Sequence, residues 1–173
     1  FSRSSSSKDV SSVVSSIIKD VQEKGDEALR EYTKKLDGAD IFEIEVSKEE
    51  IKAAADSMDS EFMRVLEKAA SNIRKYHSKQ VRNSFVMTEE NGIVLGQKIV
   101  PVSVAGIYVP GGTAAYPSTV LMDTIPAKIA GCGEIVITTP PGADGKINPV
   151  ILAAARIAGV DRIFKMGGAQ AVA

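Results

Sequence analysis

The sequence predicts an α/β chain in two parts: a mainly helical region over residues 1–82, then a partial, mostly parallel sheet over residues 83–173. Two observations carry this prediction. Apolar residues recur at helical spacing through the first part, and beyond Pro101 strand-like and helix-like segments alternate regularly. Strand and helix in turn mean crossover connections, and so parallel strands covered by helices.

In the first part, Val10, Val13, Val14, Ile17, Ile18 and Val21 follow the i, i+3, i+4, i+7 pattern of a helix with one buried face, ended by Gly25. Asp26 is placed to cap a second helix that turns Ala28, Leu29, Tyr32 and Leu36 inward and closes at Gly38. Ile41, Ile44 and Val46 suggest a short strand. Ser47-Lys48-Glu49-Glu50 has the capping-box arrangement, in which serine and glutamate each satisfy an orphan amide at a helix start. A third helix follows to about Met58. The fourth, over residues 60–78, places Phe62, Leu66, Ala69, Ile73 and Tyr76 on one face. Charges such as Arg30, Lys34, Glu67 and Lys75 lie off these stripes and read as a solvated surface.

From Phe85 the pattern changes. Residues 85–88 and 93–99 are strand-like and flank Asn91-Gly92, a dipeptide that tolerates the positive φ angles of a tight hairpin turn. Strands are then expected at 102–109, 134–138 and 162–165, with helices at 117–130 and 147–158. Pro126 should kink or split the first of these helices. Residues 169–173 open a further helix, too short to hold without a packing partner. The strand at 162–165 leaves a sheet edge. Together these features predict fraying or self-association.

Composition narrows the partners. Lysine and arginine number 21 against 22 acidic residues, a net charge of -1 that offers no long-range field for nucleic acid or an anionic membrane. The uncharged run 99–122 is long enough to raise the membrane question, but Pro101, Pro110 and Pro117 break it into strand, turn and helix. The lone Cys132 allows no internal disulfide, so a cytoplasmic protein is expected. The serine cluster at Ser4 to Ser7 has no apolar signal-sequence core after it, so a trimmed start is expected rather than a targeting peptide.

Ligands of open parallel sheets sit outside the carboxyl ends of the strands. Three loops fall there: 109–116 with Pro110, Gly111 and Gly112, then Thr139-Pro140-Pro141-Gly142, then Gly167-Gly168-Ala169-Gln170. A glycine pair serves a sharp turn as readily as a ligand. Tyr108 and Gln170 tilt the balance, since a phenol and an amide at strand ends supply a stacking surface and a bidentate hydrogen-bonding group. The G-x-G-x-x-G fingerprint and the Walker loop are both absent, and Gly131-Cys132-Gly133 precedes a strand, which makes it a helix stop. His77 is the single histidine and has no Cys or His at ligand spacing, so it reads as a helix-end or surface residue. Cys132 has no basic neighbour to favour its thiolate.

Four motifs in order resemble L-histidinol dehydrogenase: Gly106-Ile107-Tyr108-Val109-Pro110-Gly111-Gly112, Pro117-Ser118-Thr119-Val120-Leu121-Met122, Pro126-Ala127-Lys128-Ile129-Ala130-Gly131-Cys132, and Gly167-Gly168-Ala169-Gln170-Ala171-Val172-Ala173. Gly25-Asp26-Glu27-Ala28-Leu29-Arg30-Glu31-Tyr32 matches the family's early helical part. The resemblance implies a Rossmann-like NAD-binding domain of the aldehyde-dehydrogenase-like histidinol dehydrogenase fold. It further implies a zinc-dependent, homodimeric enzyme that oxidises L-histidinol through the aldehyde to L-histidine as two NAD+ are reduced. Tyr108 and Gln170 fall on the family's NAD-contacting tyrosine and glutamine. The third contact, an asparagine in a Gly-Pro-Gly-Asn turn, the zinc ligands and the catalytic Glu-His pair are expected beyond Ala173. The chain is therefore expected to be the N-terminal portion, roughly the first half, of such an enzyme, inactive and without a metal site by itself. The competing expectation is a catalytically inert binding or assembly module that kept the fold.

Overall fold

The computed structural model describes residues 10–111 and 114–173. The serine cluster and Gly112 lie outside them. Four helices come first: α1 (Val10–Lys24), α2 (Asp26–Tyr32), α3 (Lys48–Asp56) and α4 (Ser60–His77). A hairpin of β1 (Phe85–Thr88) and β2 (Val94–Gln97) follows, then β3 (Val104–Tyr108), α5 (Pro117–Ala130), β4 (Glu134–Thr139), α6 (Pro149–Ala158) and β5 (Arg162–Lys165). Strands β3, β4 and β5 form a parallel sheet in that order, the alternation expected from the sequence.

Register explains the core. Ile107, Ile137 and Ile163 lie opposite one another across the three strands, and Ile137 and Ile163 are buried with Leu121, Ile125, Ile151 and Leu152 of α5 and α6. Leu66 and Ala70 of α4 and Val46 before α3 complete this cluster. The neighbouring row, Tyr108, Thr138 and Phe164, shares the opposite face because strand side chains alternate. At the amino end of the sheet, the Asp161 carboxylate accepts hydrogen bonds from Lys128 Nζ and from the Ile135 N–H, each at 2.7 Å. The Lys128 ammonium, with help from that N–H, holds the carboxyl below its usual range.

Helix ends follow local chemistry. Proline begins both α5 and α6, where its missing N–H costs nothing, and Gly131 and Gly159 end them in the left-handed region. Asp59 caps α4 through the Phe62 N–H.

Several expectations are corrected. Asp26 does not cap α2; Gly25 stands there with φ 57°, and Asp26 is the first helical residue. Helix α1 has the predicted stripe but no buried residue, because its contacts with α2 and residues 169–171 leave Ile17, Ile18 and Val21 half-buried and Val10 and Val13 exposed. Leu36 and Tyr76 are also exposed. Helix α5 continues through Pro126 without splitting, since the proline removes one backbone bond and tertiary packing of Ile125 and Leu121 holds the rest. The hairpin turn takes a positive φ only at Gly92; Gly92 N–H bonds Glu89 O and Glu89 N–H bonds Ile93 O, a three-residue loop rather than the tight one.

The segment around Ile44 forms no named strand but lies along the outer edge of β5. Val46 N–H bonds Ile163 O at 2.9 Å, Lys165 N–H bonds Ile44 O at 2.7 Å, and Arg162 grips Glu45 with two parallel bonds. The edge expected to lie open at β5 is thus covered, and among the described residues the open edge belongs to β3. Residues 169–173 likewise find a partner within the chain. Ala169–Ala171 is a single 3-10 turn packed against α1 and α2, with Gln170 buried.

Candidate functional site

The three strand-end loops interlock. Gly111, after β3, lies so close to Pro140, after β4, that a Cβ there would come 2.5 Å from the proline Cγ. Gly167, after β5, meets the same ring, and its Cβ would come 2.8 Å from Pro140 Cβ. Both positions therefore require glycine for close approach, and Pro140 is the wedge between them. The ring of contacts closes at Tyr108, whose hydroxyl oxygen accepts a hydrogen bond from the Gly168 N–H at 3.2 Å across the end of β4.

Tyr108 is the last residue of β3 and stands 41% exposed. A phenol has one donor and two lone pairs, so accepting from Gly168 leaves its proton free for another group. Gln170 is the contrasting member, 2% exposed, with neither amide atom hydrogen-bonded. A buried amide without partners costs about 1–3 kcal/mol per unsatisfied group. It sits under Gly168, where a Cβ would approach Gln170 Oε1 to 2.6 Å. The two sequence-predicted residues do not lie on adjacent strand ends; Gly168 joins them.

A larger cavity of about 800 Å³ opens on the same loops, lined by Pro110, Gly111, Thr139, Pro140, Asn148 and Lys165 among others. Neither Tyr108 nor Gln170 lines it. Its helix end is not a phosphate cradle. Pro149 has no N–H, Val150 N–H is taken by Asn148 Oδ1, and Ile151 N–H by Asn148 O. In its wall the Ser47 capping box is half made. Ser47 Oγ accepts the Glu50 N–H, but Glu50 turns away to take Lys165 Nζ at 2.9 Å, with its other oxygen buried and unpaired. The capping reading of Glu50 obscured this link from helix to sheet, since nothing local links positions 50 and 165.

The remaining candidates lie elsewhere. His77 ends α4, where Nδ1 pairs with Gln80 Oε1 at 2.6 Å and the ring meets Tyr76 edge-on. Cys132 is half-buried in the turn between α5 and β4, at the amino end of the sheet and away from the strand-end loops. Among the described residues no three His, Cys, Asp or Glu side chains group to hold a metal ion. Sequence reasoning placed Pro140 and Gly168 in the strand-end loops but gave neither a role of its own. A proline loop flanked in the sheet by two glycine pairs was the available signal, a bulky ring matched by neighbours without side chains.

Comparison with known proteins identifies the family. The family model described as histidinol dehydrogenase matches residues 2–173. Histidinol dehydrogenase of Clostridium acetobutylicum is 57% identical over 157 residues, covering 91% of this chain and 36% of that protein. The Methanosarcina mazei enzyme is 48% identical over 172 residues, covering 99% and 40%. The crystal structure of histidinol dehydrogenase from Elizabethkingia anophelis superposes with a TM-score of 0.91 at 40% identity, covering 97% of this chain and 39% of that one. This chain thus spans about two-fifths of the length of the relatives it matches. By that family match and those identities, the chain belongs to the histidinol dehydrogenase family.

Proposed function

We propose that this chain is the N-terminal, dinucleotide-binding portion of an NAD-dependent enzyme that oxidises L-histidinol through L-histidinaldehyde to L-histidine. The observation that carries the reading is the pairing of a half-exposed phenol with a buried, unpartnered amide at the carboxyl ends of a parallel sheet. NAD+ supplies the hydride acceptor when bound. Toward it, Tyr108 offers its ring and its free phenolic proton, Gln170 offers one donor pair and one acceptor, and the bare Gly111 and Gly167 keep the loops closely joined. These groups fit a dinucleotide. Zinc is expected from the family, but the described residues assemble no ligand set for it, so no step is assigned to the metal. Homodimeric assembly and a cytoplasmic setting belong to the same proposal. Among the described residues no helix is long and apolar enough to cross a membrane.

Calorimetric titration with NAD+ tests the site. The 173-residue chain should bind, and Tyr108→Ala should weaken binding about tenfold, the scale of a lost hydrogen bond and ring contact. Equal binding by both chains removes Tyr108 from the site. The chain alone should not turn over histidinol, because a lone His77 tied to Gln80 provides no acid-base pair. Measurable turnover overturns that part of the proposal. The exposed apolar hairpin favours a second reading, an inert assembly module, and failure to bind NAD+ together with stable self-association would select it.

A further inference from the structure

We propose that Gly168 is a positioning residue of the dinucleotide site, the one backbone unit through which Tyr108 and Gln170 act together. The inference rests on the dinucleotide reading and adds a residue to it. Gly168 faces both side chains at once: its N–H holds the Tyr108 oxygen at 3.2 Å, and its bare Cα lies over the Gln170 amide. Its backbone angles, φ 61° and ψ -162°, fall in a region open essentially to glycine alone. Chain geometry and space therefore both demand glycine at this position.

The bond to Gly168 gives Tyr108 a direction. With one lone pair of the phenol occupied by the peptide N–H, the hydroxyl proton points elsewhere, and Tyr108 meets the ligand as a donor. Gln170 responds to the same peptide. Both of its amide atoms are out of contact with solvent and unpaired, and they occupy the space that the missing side chain of Gly168 leaves open. One glycine thus sets the position of both groups, and the two side chains are coupled without touching.

A double-mutant cycle in NAD+ binding tests the coupling, using Tyr108→Phe and Gly168→Ala singly and together. Tyr108→Phe keeps the ring, and so the fold, and should weaken binding roughly five- to tenfold. Gly168→Ala should weaken it at least as much, and adding Tyr108→Phe to it should cost little more, since the alanine already breaks the link. Additive losses overturn the proposal. Amide hydrogen exchange of the ligand-free chain gives a second readout. The Gly168 N–H should exchange faster in Tyr108→Phe than in the parent while the amides of Ile137 and Ile163 keep their protection. Unchanged exchange at Gly168 overturns the proposal even if Gly168→Ala fails to fold. If the parent chain binds no NAD+ while its Gly168 amide is protected by Tyr108, the dinucleotide reading falls, and the positioning role with it.

Discussion

The β3–β5 sheet and the β1–β2 hairpin are both assembled from apolar strands, yet they meet opposite fates. Ile135, Ile137 and Ile163 in the sheet are sealed beneath α5 and α6, whereas every residue of the hairpin strands is exposed, Val86 to 74%. Composition does not separate them: Phe85-Val86-Met87 is as apolar as Ile135-Val136-Ile137. The difference is the connection. Each parallel strand is joined to the next by a helix that must fold back over the sheet, so its cover is supplied by the same stretch of sequence. A two-stranded antiparallel ribbon carries no such cover, and a hairpin alone is marginal in water. Helix α1 stands between the two, an amphipathic stripe that α2 and residues 169–171 cover only in part.

The largest effect should come from the covered side. Ile137→Ala, fully buried in the centre of the sheet, should lower unfolding free energy by about 2–5 kcal/mol, read as a fall in the urea midpoint at unchanged slope. A loss no larger than that of a hairpin substitution would break the contrast between the two regions.

Next in size is the link between the helical part and the sheet. Lys165 is 12% exposed at its side chain and pairs with Glu50. Glu50→Ala should cost about 2 kcal/mol by leaving an ammonium largely out of water without its partner. The double variant Glu50→Ala with Lys165→Met should recover most of that. No recovery would mean that the loss lies in the start of α3 instead.

Acid should act through Asp161. Its folded pKa is lowered, so it adds stability above its unfolded value near 4, and that stability disappears as pH falls below it toward the folded value. The side chain is 39% exposed, so solvent screening limits the contribution to about 1 kcal/mol. Asp161→Asn should flatten the acid limb of a stability-against-pH curve; an unaltered limb would place acid sensitivity elsewhere.

The smallest effect belongs to the hairpin. Val86→Ser and Val94→Ser should each change unfolding free energy by less than about 0.5 kcal/mol, because neither removes buried surface. A larger loss, accompanied by a lower sedimentation coefficient, would show that another copy covers the hairpin in solution.

Much of the fold was legible because its signals are local. Pro117 and Gly131 bracket α5, Asn148-Pro149 and Gly159 bracket α6, and alternation alone gave three parallel strands. The site was legible in part. Tyr108 and Gln170 could be picked out as chemistry at strand ends, but the burial of Gln170 and the bond from Gly168 to Tyr108 span two strands and sixty positions of chain. The pairing of Ile44 and Val46 with β5 was hidden for the same reason. Periodicity reports which face of an element is apolar and says nothing about whether another element arrives to cover it.

The sequence by itself determined the limits of α5, the alternation that makes β3, β4 and β5 parallel, the three loops at their carboxyl ends, and the family. Each of these depends on interactions within a few residues or on a repeated spacing, which a linear string records directly. Tertiary structure alone decided that Pro140 wedges between Gly111 and Gly167, that the Glu50 side chain serves Lys165 instead of its helix start, and that Gly168 joins the phenol to the amide. Those contacts bring together positions whose sequence separation exceeds any local pattern. Only packing, by excluding water and leaving bare carbons where rings and amides must pass, sets which of them meet.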